Sequence, residues 1–125
     1  MRKTPFAILL CAEIVEYGSG SVKLTVPITE KITQHHGMVH GAVLGFLADS
    51  ACSWAAASVA GDVVTSEYKI NLLAPALGRT LYARGEVIKM TGRQVISRAD
   101  VFSVAEDGTD KMVATALATI IRLRP

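Results

Sequence analysis

The amino-acid sequence predicts an α+β domain in which one long helix is wrapped by a mainly antiparallel sheet of five to six strands, and three observations carry that expectation. Residues 41–58 form an Ala-rich run without proline, bounded by Gly41 and Gly61, which is helical composition with helical punctuation. The run is apolar on nearly every side, so it belongs in an interior rather than on a surface. The segments around it carry strand patterning and are separated by turn residues, as in antiparallel strands with short connections.

Taken in order, a first strand is expected at about Ala12–Tyr17, and Gly18-Ser19-Gly20 turns it into a second at 21–26. There Val22, Leu24 and Val26 share one face while Ser21, Lys23 and Thr25 share the other, the period of a half-buried strand. Pro27 ends that hairpin. After the helix, strands are expected at about Val63–Leu73, Thr80–Met90, Gln94–Val104 and Met112–Leu123. Pro75 to Gly78, Thr91-Gly92 and Asp107-Gly108 supply the turns between them. With 125 residues and no repeats or linkers, a single domain over 1–125 is expected.

Composition narrows the function classes. Hydrophobic residues make up 50% and charged residues 19%, enough apolar surface to fold. A net charge of +2 with basic and acidic residues interspersed, and only 6% aromatics, argues against nucleic acid as a partner. The start, Met1 to Cys11, imitates a secretory or lipoprotein signal, but its apolar run is short and no small residue precedes Cys11. Asp49 interrupts the longest apolar stretch, which argues against a membrane span. A cytoplasmic protein is therefore expected, with Cys11 and Cys52 as buried, reduced thiols.

A lone carboxylate in an apolar helix is costly without a partner, so Asp49 needs a reason to be there. At 100° per residue its face holds Ala42, Gly45, Phe46, Cys52, Ser53 and Ala56, mostly small residues that admit a close neighbour. His40-Gly41-Ala42 opens the helix, where unpaired backbone N–H groups and the helix dipole favour developing negative charge. Gly41 and Asp49 are eight residues apart, about 12 Å along a helix. One reaction centre cannot touch both within one chain. Two antiparallel copies crossing at position 45, which is Gly, would bring Gly41 of one to Asp49 of the other, which predicts a homodimer with two composite sites.

With these residues in view, His40-Gly41-Ala42-Val43-Leu44-Gly45-Phe46-Leu47-Ala48-Asp49-Ser50-Ala51 resembles the PaaI-like hotdog-fold acyl-CoA thioesterases of the 4-hydroxybenzoyl-CoA thioesterase superfamily. Pro5-Phe6, Glu13-Ile14-Val15 and Tyr68 to Pro75 extend the likeness along the chain. The resemblance implies a hotdog fold and thioester hydrolysis, with Asp49 as general base or nucleophile and the Gly41 N–H polarising the carbonyl. It also implies that His40 shapes that site and that Thr65 assists the water or the carboxylate. Dimers, and often tetramers, are implied, and no metal or other cofactor. The chain departs from the family pattern at Gln34, where Asn is common six residues before the His, and at Ala42, where a second Gly is common.

Lys69, Arg79, Lys89 and Arg93 are candidate contacts for CoA phosphates, although exposed strand-end charges explain them equally. Ser53 is a candidate substrate contact, and Trp54, Phe46 and Leu47 are candidate pocket walls or plain core. His35, His36 and His40 make a poor metal set without a nearby acidic or Cys ligand. The alternative reading is a non-catalytic hotdog module that binds acyl-CoA or an aromatic acid.

Overall fold

The computed structural model describes residues 4–124. A short helix α1 (Pro5–Leu9) leads into β1 (Glu13–Gly18) and β2 (Ser21–Pro27), and a 3-10 turn (Glu30–Ile32) precedes the long helix α2 (Gly41–Ala60). Four longer strands follow: β3 (Val63–Leu72), β4 (Thr80–Thr91), β5 (Gln94–Val104) and β6 (Asp110–Arg122). All six strands form one antiparallel sheet in the order β1-β2-β4-β5-β6-β3, so β1 and β3 are its free edges.

The expected elements are present within a few residues, and α2 runs two residues beyond Ser58. The short α1 is not legible in the sequence: five residues hold too little periodicity to distinguish a helical turn from an apolar run. Around it Ala7 and Leu10 are buried, while Phe6, Ile8 and Leu9 stay exposed. Cys11, expected to be buried, is exposed just after α1, and only Cys52 is buried. Residue 11 follows the last turn of that helix at a φ of 57°, a position that faces it away from the core.

The sheet curls around α2. Val22, Leu24, Val26, Leu81, Ala83, Val95, Val101 and Ile120 face the helix and meet Leu44, Leu47, Ala48, Ala51, Cys52 and Ala55 in one core. By length and apolar composition α2 alone would suffice to cross a membrane, yet half of it is buried by the sheet. The closest approach is at Gly85 of β4, where a Cβ atom would lie 2.3 Å from the Ala51 carbonyl oxygen. On the opposite side of α2, Phe46, Ser50, Ser53, Trp54 and Ala57 form a half-exposed stripe. Phe6 packs edge-on against Phe46 and Tyr17 against Trp54, with centroids 5.2 and 6.0 Å apart.

Edge strand β3 carries a bulge: Thr65 pairs with Ile120 and Glu67 with Thr119, which leaves Ser66 without an opposite number. A bulge bends its strand and increases local twist, and here it brings Thr65 and Tyr68 to the same, helix-facing side.

Candidate active site

Three contacts in register join α2 to β3. A Cβ on Gly41 would lie 3.2 Å from Leu72 Cδ1, and one on Gly45 would lie 3.0 Å from the Tyr68 hydroxyl. One turn further, Thr65 Oγ1 donates a hydrogen bond of 2.6 Å to Asp49 Oδ1. Positions 41, 45 and 49 recur every fourth residue and so share one face, and the strand returns antiparallel beside it. Gly45, one of the small residues around Asp49, thus has a physical reason within one chain, since it admits the Tyr68 side chain of β3. Asp49 is half-buried, and the short bond from Thr65 fixes the rotamer of its carboxylate.

The other half of the site is the start of α2. His40 is the N-cap residue, and its Nδ1 accepts a hydrogen bond of 3.0 Å from the Ala42 N–H. An accepting nitrogen carries no hydrogen, so the ring's N–H is at Nε2. The Val43 N–H is taken by the His40 carbonyl. Among the described residues the Gly41 N–H has no acceptor, at the positive end of a 20-residue helix. It opens on a cleft of about 370 Å³ lined by Gln34, Met38, Val39, Leu44, Leu72 and neighbouring residues. The longer side chain at Gln34 turns into its own loop, where Oε1 accepts from the His36 N–H.

Along the helix the free N–H and the carboxylate remain about 12 Å apart. One chain holds both halves but does not bring them together. The candidate phosphate contacts are dispersed as well. Lys69 bonds Asn71 on the outer face of β3 and Arg79 pairs with Glu106. Lys89 and Arg93 lie at the far end of β4 and in its turn to β5. Ser53 donates to the Ser50 carbonyl within the helix. His35 and His36 have their rings 4.0 Å apart, away from His40, whose Nδ1 is engaged in the cap. Cys52 is no nucleophile, because burial first, and then the charges of Asp49 and Asp100, push its thiol from 9.0 up to about 12.

Sequence reasoning missed Tyr68 and Leu72. The usable signal was the four-residue spacing of Gly41 and Gly45, matched by that of Leu72 and Tyr68 in the next strand. Thr65→Val keeps the shape of residue 65 and removes its donor. A hydrogen bond to a charged group is worth about 1.5–3 kcal/mol, so catalytic efficiency is expected to fall roughly 10-fold or more and the melting temperature by roughly 5–10 °C, as read by kinetics well below the transition beside thermal denaturation.

Among families of known proteins, the one described as Thioesterase superfamily matches residues 36–108. A thioesterase family protein from Silicibacter pomeroyi is 32% identical, with a TM-score of 0.92 over 96% of this chain and 90% of that one. A mutant form of the phenylacetic acid degradation protein PaaI from Thermus thermophilus is 28% identical, with a TM-score of 0.83 over 95% and 99%. The PaaI protein of the Escherichia coli phenylacetic acid degradation operon shares the fold at 24% identity, with a TM-score of 0.87 over 98% and 87%. No curated protein matches the chain.

Proposed function

We propose that this chain, which belongs to the thioesterase superfamily and is a PaaI-like hotdog protein, hydrolyses a small aryl- or acyl-CoA thioester at sites shared between two copies. The observation that carries this reading is a carboxylate fixed by Thr65 and an uncommitted Gly41 N–H on one face of one helix. An antiparallel second copy supplies the missing half of each site. The free edge of β3 supports this, because Val64, Tyr68, Leu72 and Leu73 are all exposed there. An edge strand with large apolar side chains and unpaired backbone groups invites another strand, and two such edges form an isologous interface. Further assembly to a tetramer and a cytoplasmic location belong to the same proposal.

In the reaction, the thioester carbonyl oxygen accepts from Gly41 of one copy. Asp49 of the other either takes a proton from the attacking water or attacks the carbonyl itself. Negative charge gathers on the oxygen at the helix start, where the N–H and the dipole stabilise it. The C–S bond then breaks and CoA leaves as the thiol, its proton coming from Asp49 in the first route and from water in the second, where a water also hydrolyses the acyl–Asp49 anhydride. The carboxylic acid is released in both. His40 contributes by capping the helix and thereby orienting the Gly41 N–H.

Short-chain, long-chain and aryl acyl-CoAs offered with a thiol-detecting reagent test the proposal. Thiol release from at least one class is expected, while no release from any would overturn the hydrolase. Sedimentation under assay conditions is expected to give a dimer or tetramer, and a monomer would overturn the shared site.

A further inference from the structure

The Tyr68 hydroxyl is a polar group on the α2–β3 face that neither half of the site uses. It stands against Gly45, midway between the Gly41–Leu72 contact and the Thr65–Asp49 hydrogen bond. Among the described residues it has no hydrogen-bond partner, although Thr65 on the same side of the strand is engaged. Tyr68 is 42% exposed at the free edge of β3, so it faces the gap that a second copy closes. Water satisfies such a phenol while it is exposed, a second copy closing over it would remove that water, and the apolar residues beside it on the strand, Leu72 and Ile70, offer no replacement.

Resting on the shared site proposed above, we infer that Tyr68 is a further substrate-binding residue, whose hydroxyl donates a hydrogen bond to a carbonyl oxygen of the bound acyl-CoA. It lies one helical turn, about 6 Å, from the level of Asp49. That distance reaches either the reacting carbonyl or the first amide of the pantetheine arm. Gly45 makes the approach this close: a methyl group there would lie 3.0 Å from the hydroxyl and push it aside by a few tenths of an ångström. Gly45 thus serves the site by leaving room for a donor supplied by the neighbouring strand.

The test uses two hydrolysis-resistant ligands and the whole protein. Phenacyl-CoA keeps a ketone one methylene away from the sulfur, and S-(2-phenylethyl)-CoA lacks it while keeping the pantetheine amides. Binding is measured by calorimetry for the wild type and for Tyr68→Phe, which removes only the hydroxyl. Phenacyl-CoA is expected to bind the variant about 10-fold more weakly. The same loss with S-(2-phenylethyl)-CoA identifies the amide as the acceptor, and a loss confined to phenacyl-CoA identifies the reacting carbonyl. A merely structural Tyr68 would loosen the dimer instead, so the dimer dissociation constant is measured alongside and is expected to stay unchanged. Wild-type affinity for both ligands in Tyr68→Phe, or a weakened dimer accounting for the loss, overturns the inference alone. Failure of the wild-type protein to bind phenacyl-CoA overturns the inference, and only the absence of thiol release from every acyl-CoA class overturns the thioesterase reading with it.

Discussion

Asp49→Asn is expected to lower kcat/KM by about 1,000-fold or more while leaving the fold and the oligomer intact. The amide keeps the shape of the side chain and an oxygen that still accepts from Thr65 Oγ1. What disappears is the base or nucleophile, and removing a general base costs about 100- to 10,000-fold. The complementary change is Gly41→Pro, which deletes the N–H at the first helical position, where proline is well tolerated. The preceding His40 already has an extended backbone, with ψ of 137°, as a residue before proline requires. Each variant alone is expected to be nearly inactive. Mixed after exchange of subunits, they should recover about a quarter of wild-type activity, because a two-fold heterodimer restores one site of two. Full activity in Asp49→Asn refutes the role of that carboxylate, and no recovery on mixing refutes the sharing of sites between chains.

A large effect on stability is expected at Gly85. An added Cβ would sit 2.3 Å from the Ala51 carbonyl oxygen and 2.5 Å from its carbon, so the clash is with backbone and no side-chain rotation relieves it. The strand has to move off α2 and open the core between Leu47, Ala51, Leu81 and Ala83. Overpacking a core costs about 1–3 kcal/mol, more when backbone must shift. Gly85→Ala is therefore expected to destabilise the protein by at least about 3 kcal/mol, a fall of roughly 10 °C or more in Tm for a domain of this size. Thermal denaturation followed by circular dichroism reads this directly, and an unchanged Tm would show that β4 and α2 are not in such close contact.

Local pattern made most of the elements legible in the sequence. The alternation of Val22, Leu24 and Val26 marks a strand buried on one face, and all three are buried. The Ala-rich run becomes α2 because its composition and its punctuation agree. Sheet order was not legible, since β3 follows the helix in the chain yet lies beyond β6, and no local periodicity records such a crossover. This is also why the partners of Gly45 stayed hidden: Tyr68 reaches it only once β3 is known to return beside α2. The four cations read as candidate phosphate contacts fall at different ends and faces of the sheet. Charge type alone carries no information about where strands end up. Asp49 and Gly41 were legible because their oddity is local, one a carboxylate in apolar text and the other bare backbone at a helix start.

The bulge in β3 leads to a different kind of constraint. Ser66 has no opposite number on β6, and removing it would restore simple alternation, with Thr65, Tyr68 and Leu72 still on their present faces. What would vanish is the bend that lays Thr65 against Asp49. At this position the chain is free in spelling but fixed in length: almost any residue can stand there, and none can be left out. Among descendants of this sequence, substitutions should accumulate at 66 while gaps do not.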